Sequence, residues 1–154
     1  MKVSLTAEEG LDLLRQYCNF QERCHKEVRS KGLKLGFYGA TLEELISQMV
    51  SEGLLNEERY ARSLARGKFR NNQWGKIKIV QTLKQHDVSE YSIRKALTEL
   101  DEAEYRKTLA KLIQAKAKTL SGEIALFQKK QKIINYLLQK GFEYEVIQEV
   151  LDAE

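Results

Sequence analysis

Between Arg59 and Lys84 the chain carries Arg59, Arg62, Arg66, Lys68, Arg70, Lys76, Lys78 and Lys84, with no aspartate or glutamate. A field of one sign collects its opposite, here phosphates or an acidic protein surface. Guanidinium forks match phosphate and carboxylate, and Arg62, Arg66 and Arg70 recur every fourth residue, which lines them along one side of a helix. Trp74 stands in a polar turn between Arg70 and Lys76. An indole there can stack on a base, anchor a partner or plug a gap between structural units. The whole chain has a net charge of only +4, so the rest of it is negative. Soluble surfaces usually intersperse both signs, and the missing local counter-charges point to unpaired cations held out for a partner. The candidate binding residues are therefore Arg62, Arg66, Lys68, Arg70, Trp74, Lys76 and Lys78.

Tyr105 to Leu120 is a second stretch without acid, with Arg106, Lys107, Lys111, Lys116 and Lys118. Placed beside the first, it would widen the surface into a band of two helices, each roughly 24 Å long. Such a band suits an extended, repeating polyanion better than a small molecule.

Other chemistry is sparse. There is no phosphate-binding loop of the Gly-x-x-x-x-Gly-Lys-Ser/Thr kind. The serines and threonines fall in caps and turns without a histidine partner. His25 and His86 each fall in or at the end of a helix, where a structural role is expected. Glu43/Glu44 and Glu57/Glu58 fit first turns of helices, where the dipole favours acid. No catalytic residue and no cofactor is expected, and the chain reads as a non-enzyme. Cys18 and Cys24, with His25 adjacent, lack the second ligand pair of a zinc site. They read as free thiols in a reducing compartment. No apolar run approaches the roughly 18 residues of a membrane span. The start, MKVSLTAEEGLDLL, has acids where a secretory signal would be apolar. These features predict a soluble, cytoplasmic protein.

The elements that must hold these side chains are helices. The chain has 154 residues, no proline and 42% hydrophobic residues, a composition that favours helix. Thr6-Ala7-Glu8-Glu9 and Thr41-Leu42-Glu43-Glu44 both read as capping boxes. The first opens a helix bearing Leu11, Leu14, Tyr17 and Cys18. The second opens one with Leu42, Leu45, Ile46, Met49 and Val50 on one face and Gly53 just past its end. Between them a helix from Cys24 to about Leu33 precedes a loop marked by Gly32, Gly36 and Gly39. Asn56 caps the basic helix, whose apolar half is Tyr60, Ala61, Leu64, Ala65 and Phe69. After the turn at 71–75, a helix with Ile79, Val80 and Leu83 stops near Asp87, and Ser89 caps the next, with Ile93, Ala96, Leu97 and Leu100 inward. The third long helix begins at Tyr105 and is broken by Gly122. Leu126, Ile133, Ile134, Leu137 and Leu138 define the eighth helix, and Val146, Ile147, Val150 and Leu151 the ninth.

The pattern repeats. Val28, Ile79 and Ile133 correspond, as do Phe37, Val88 and Phe142, then Leu42, Ile93 and Ile147, then Leu45, Ala96 and Val150, then Ile46, Leu97 and Leu151. Their spacings are 51 and 54 residues. A period near 50 indicates units that bury part of their apolar face on a neighbour. The fold class is all-α: three tandem three-helix repeats, at 1–55, 56–103 (the basic one) and 104–154, stacked into an elongated, curved array. The alternative is a compact all-helical globule with accidental periodicity.

Asn56-Glu57-Glu58-Arg59-Tyr60-Ala61 follows a short Gly-Leu-Leu link. Gly75-Lys76-Ile77-Lys78-Ile79, Leu83 and Val88 come after it. The first copy has Glu27-Val28 and Lys31, and the last ends in Leu137-Leu138-Gln139-Lys140-Gly141-Phe142 with Ile147 and Leu151. Together these resemble the RecX family of bacterial recombination regulators, from about Leu11 to Leu151. The resemblance implies a curved array of three-helix units that modulates, and usually inhibits, the RecA recombinase. Such proteins are thought to lie in the groove of the RecA filament on single-stranded DNA, lowering strand exchange and ATP hydrolysis. It places the chain in DNA repair, recombination and the SOS response, as a monomer without cofactor. Three departures stand out: Gly32 where the family pattern has leucine, a loop at 36–39 longer than expected, and Asp87 at a turn where the other copies have glycine.

Two other readings compete. One is a plain nucleic-acid-binding module using a helix-turn-helix, although the charge lies on first helices rather than third ones. The other is a helical scaffold that recognises an acidic protein.

Overall fold

Several helices start where a side chain takes up an orphan amide. In the computed structural model, which describes residues 4–120, 122 and 125–154, the Thr6 hydroxyl accepts from the Glu9 amide at 3.1 Å and opens α1, Ala7–Phe20. Glu9 returns its carboxylate to that hydroxyl. Cys24 opens α2, His25–Lys34: its Sγ accepts from the Glu27 amide and its own amide donates to the Glu27 carboxylate. α3 is Gly39–Ser51, α4 Glu57–Asn72, α5 Lys76–Gln85 and α6 Glu90–Leu97. α7 is Glu102–Thr119, α8 Leu126–Gln139 and α9 Tyr144–Ala153. These nine helices are the regular elements among the described residues, and no strand occurs there. The fold is all-α and built of tandem three-helix repeats. The first three residues of the N-terminal reading lie outside the described residues.

Several expected boundaries move. The capping box at Thr41 does not form: α3 begins at Gly39, so Thr41 already lies within the helix, and Tyr38 precedes it without a side-chain cap. Gly32 belongs to α2 rather than to a loop. α7 starts before Tyr105, because Asp101 accepts from the Glu104 amide at 2.9 Å and caps it.

The periodicity has a backbone counterpart. In the first copy Phe37 N–H donates to Gly32 O and Gly36 N–H to Leu33 O. The second repeats this with Val88 to Leu83 and Asp87 to Lys84, the third with Phe142 to Leu137 and Gly141 to Leu138. This is the paired closure of a left-handed C-terminal cap. Gly36, Asp87 and Gly141 supply the positive φ, at 97°, 58° and 94°. The link at 36–39 is thus no longer than its counterparts: four residues separate the helices in every copy. The departure at Gly32 also has a cause. A Cβ there would sit 2.4 Å from Leu42 Cδ1, so Leu42 already occupies room that a side chain at residue 32 would need.

By packing, the chain divides into two compact units. One comprises Met1–Ser63 and Leu83–Lys95, the other Leu64–Thr82 and Ala96–Glu154. The middle copy therefore forms no unit of its own. In the first unit α1, α2 and α3 pack pairwise around Leu14, Cys18, Val28, Phe37, Leu42, Leu45, Ile46, Met49 and Leu55. Tyr60 Oη meets His86 Nδ1 at 2.6 Å, and burial pushes its hydroxyl upward in pKa. Burial likewise raises both thiols, Cys18 and Cys24, which keeps them protonated. Glu57 gathers the Ser89 amide and hydroxyl and the Ser92 hydroxyl. Burial works to raise its pKa, but those serine hydrogen bonds prevail and hold it below the ordinary range. In the second unit α7, α8 and α9 pack pairwise around Tyr105, Leu109, Ile113, Ile133, Ile134, Leu137, Phe142, Ile147 and Val150. The expected core is trimmed at its edges: Leu64, Leu97 and Leu151 are half-buried, and Leu126 is 83% exposed.

Two outcomes follow from this packing. Leu83 is fully buried, so Leu83→Ala should cost about 2–5 kcal/mol in urea unfolding, whereas the half-buried Leu64→Ala should cost well under that. Arg15 grips Glu52 through two hydrogen bonds of 2.8 Å. These, then the Gln48 amide, hold the Glu52 carboxyl down to about 2 from an ordinary 4.5. Because the folded-state value is depressed, the pairing adds stability above pH 4.5 and loses it as pH falls toward 2. Carboxylate NMR titration should place Glu52 near 2, and Arg15→Met should return it toward 4.5.

Candidate polyanion interface

The second unit is pinned at one backbone junction. Gly75 N–H donates to Lys140 O at 2.7 Å and Ile77 N–H to Gly141 O at 2.9 Å. Lys76 N–H, between them, donates to Tyr105 Oη at 2.9 Å. The amides that open α5 are thereby satisfied by the carbonyls that close α8 and by one buried phenol. Only glycine allows this approach: a Cβ on Gly75 would lie 2.3 Å from the carbonyl carbon of Gly141. Tyr105 donates in turn to the Glu143 carboxylate. Its ring packs 5.7 Å from Phe69 and 5.2 Å from Phe142, centroid to centroid. Burial, and then Glu143, raise its pKa.

The junction gathers cations. Trp74 N–H donates to Lys68 O at 3.1 Å, and Gln73 turns the chain there with φ of 53°. Lys68 Nζ then stands 4.9 Å from the indole centroid and Lys78 Nζ 4.6 Å. Both are within cation–π range. Lys78 lies directly against Gly141, where a Cβ would come within 2.3 Å of its own. Lys140 is half-buried, and its pKa is lowered by that burial and then by Lys78. Its Nζ is 5.8 Å from the Tyr136 ring, which Lys116 approaches to 4.7 Å.

The candidate residues do not form one uncompensated stripe. Arg59 pairs with Glu22 at 2.7 Å and Arg62 with Glu58 at 3.3 Å, both in the first unit. In the second unit Arg66 meets Glu99 and Lys76 meets Glu102, each at 3.2 Å. Lys76 also lies 4.7 Å over the Tyr105 ring. Most of these carboxylates come from distant segments, where a count along the chain misses them. Among the described residues, Lys68, Arg70 and Lys78 form no ion pair. Arg70 is exposed beside a groove of about 400 Å³ floored by Phe69, Leu112 and Ala115. Sequence reasoning overlooked Lys140 and Tyr136; the signal was the turn position of Lys140, equivalent to that of the link after α5. Glu102 also escapes the sequence pattern as a partner, because the acid-free run begins at Tyr105 whereas α7 opens at Glu102.

No group of three or more His, Cys, Asp or Glu side chains is placed to hold a metal among the described residues. No helix there is long and apolar enough to cross a membrane. The site is a cationic surface with aromatic rings set into it.

Tandem three-helix repeats with a cationic junction define a class of all-α helical-repeat protein. Two family descriptions match it, "RecX, second three-helix domain" over residues 56–97 and "RecX, third three-helix domain" over residues 102–151. The chain belongs to the RecX family. It is 30% identical over 147 residues to the regulatory protein RecX of Lactococcus lactis subsp. cremoris (strain SK11), covering 94% of this chain and 55% of that one. It therefore spans about half the length of that relative. The regulatory protein RecX of Prosthecochloris aestuarii is 27% identical, covering 88% of this chain and 87% of that one. The crystal structure of RecX from Lactobacillus salivarius has the same fold, with a TM-score of 0.86 at 23% identity, over 96% of this chain and 95% of that one.

Tyr105→Phe removes the acceptor of the Lys76 amide and the donor to Glu143. It should cost about 1–3 kcal/mol in chemical denaturation, as an unsatisfied buried group does.

Proposed function

We propose that this chain regulates the RecA recombinase by binding its filament on single-stranded DNA, and that the effect is inhibition of strand exchange and ATP hydrolysis. Family membership supports a regulatory role. The observation that carries the surface is the placing of Lys68 and Lys78 over Trp74, with Lys140 close enough to Lys78 to be affected by its charge, and without a carboxylate ion pair to Lys68 or Lys78 among the described residues. Arg70 extends it along the groove beside α7. Arg66 and Lys76 belong to it in a second sense, and Arg62 presents its own paired charge on the first unit. Exposed ion pairs contribute only about 0–1 kcal/mol, so these side chains can exchange a carboxylate for a phosphate. The chain acts in the cytoplasm, as a monomer and without catalysis of its own, in DNA repair and recombination. A second reading, a nucleic-acid-binding module with no recombinase partner, is favoured by the lysines poised over Trp74 and Tyr136.

Added below the RecA concentration, the protein should inhibit DNA-dependent ATP hydrolysis by the cognate RecA; unchanged hydrolysis at equimolar ratio overturns the reading. Lys68→Glu, Arg70→Glu and Lys78→Glu together should leave helix content intact and weaken filament binding. The salt dependence of that binding should flatten by about 0.7 in log–log slope for each strand phosphate that the variant no longer neutralises.

A further inference from the structure

The lysines at the junction converge rather than spread. Lys68 is fixed through its carbonyl to Trp74, Lys140 through its carbonyl to Gly75, and Lys78 through its contact with Gly141. These contacts bring Lys68 and Lys78 over one indole, with Lys140 near enough to feel Lys78. Among the described residues no ion pair compensates them. Like charges held together in a half-buried place repel, and an oxyanion relieves that cost by taking a hydrogen bond from each ammonium. The depressed pKa of Lys140 agrees with a site that lacks its anion. A lone free phosphate leaves the rings unused. Lys140 also reaches Tyr136, which Lys116 covers from elsewhere. An aromatic ring within reach of a phosphate-binding lysine is what successive nucleotides of a single strand require.

We infer that Lys68, Lys78 and Lys140 form a discrete phosphate site, with Trp74 at its base, that takes a phosphodiester of single-stranded nucleic acid whose neighbouring base lies toward Tyr136. This deepens the filament reading but needs no recombinase to be tested. Trp74 is the only tryptophan of the chain, so intrinsic fluorescence reports on the site directly. The full chain is titrated with oligo-thymidylate and, separately, with inorganic phosphate. Oligo-thymidylate should change the emission at a far lower phosphate concentration than the free ion. Lys78→Met and Lys140→Met should each raise the half-saturating concentration about tenfold or more, the worth of one charge-assisted hydrogen bond. Lys68→Met should do the same, and Lys34→Met, at an exposed lysine of the first unit, should not, with far-ultraviolet circular dichroism confirming the fold of each variant. Equal response to both ligands assigns the site to free phosphate and overturns the strand assignment. No response to either overturns the site. If oligonucleotide binds and RecA hydrolysis is untouched, the site stands and the filament reading falls; the converse separates them in the other direction.

Discussion

The carbonyls of Lys140 and Gly141 accept the amides of Gly75 and Ile77, and much else in the second unit depends on that contact. The negative end of one helix meets the positive end of another, so each satisfies groups the other leaves open. Two glycines permit it sterically. Tyr105 then closes the remaining amide from below and ties the arrangement to Glu143 and to the aromatic pair Phe69 and Phe142. The same contact that holds the helices also sets the stems of Lys78 and Lys140 side by side. Packing and charge placement here are one geometric fact.

Electrostatics across the chain sort the basic residues into two kinds. Arg59, Arg62, Arg66 and Lys76 are tied to carboxylates and shape the surface. Lys68, Arg70 and Lys78 are not, and Lys140 lies near Lys78 with its charge disfavoured by burial and by Lys78. A tied arginine still presents charge, but its partner weakens the local field. The junction is where that field survives.

The helices and their repeat were legible because apolar spacing and caps are local signals. Asn56 caps α4 as its type predicts, with the Arg59 amide 2.9 Å from its side chain, and the aligned turns share one backbone closure. Thr41 misled because Tyr38 and Gly39 begin the helix earlier, and a capping box is only an option until the backbone chooses. Leu64 misled because a hydrophobic half-cylinder is wider than the stripe that ends up covered. The charge surface was the least legible part. Glu22, Glu99 and Glu102 reach the basic segment through the fold, and Lys140 joins it from a turn 62 residues after Lys78. Long-range juxtaposition leaves no mark in a local window.

Gly32 and Leu42 illustrate a different dependence. The side chain missing at one position is supplied by the other, as Leu42 Cδ1 fills the space a Cβ would need. A methyl gained at residue 32 obliges the end of the Leu42 side chain to move or to be shortened, and a smaller residue 42 leaves a void that a side chain at residue 32 can help fill. Substitutions at the two positions are therefore coupled through one shared volume.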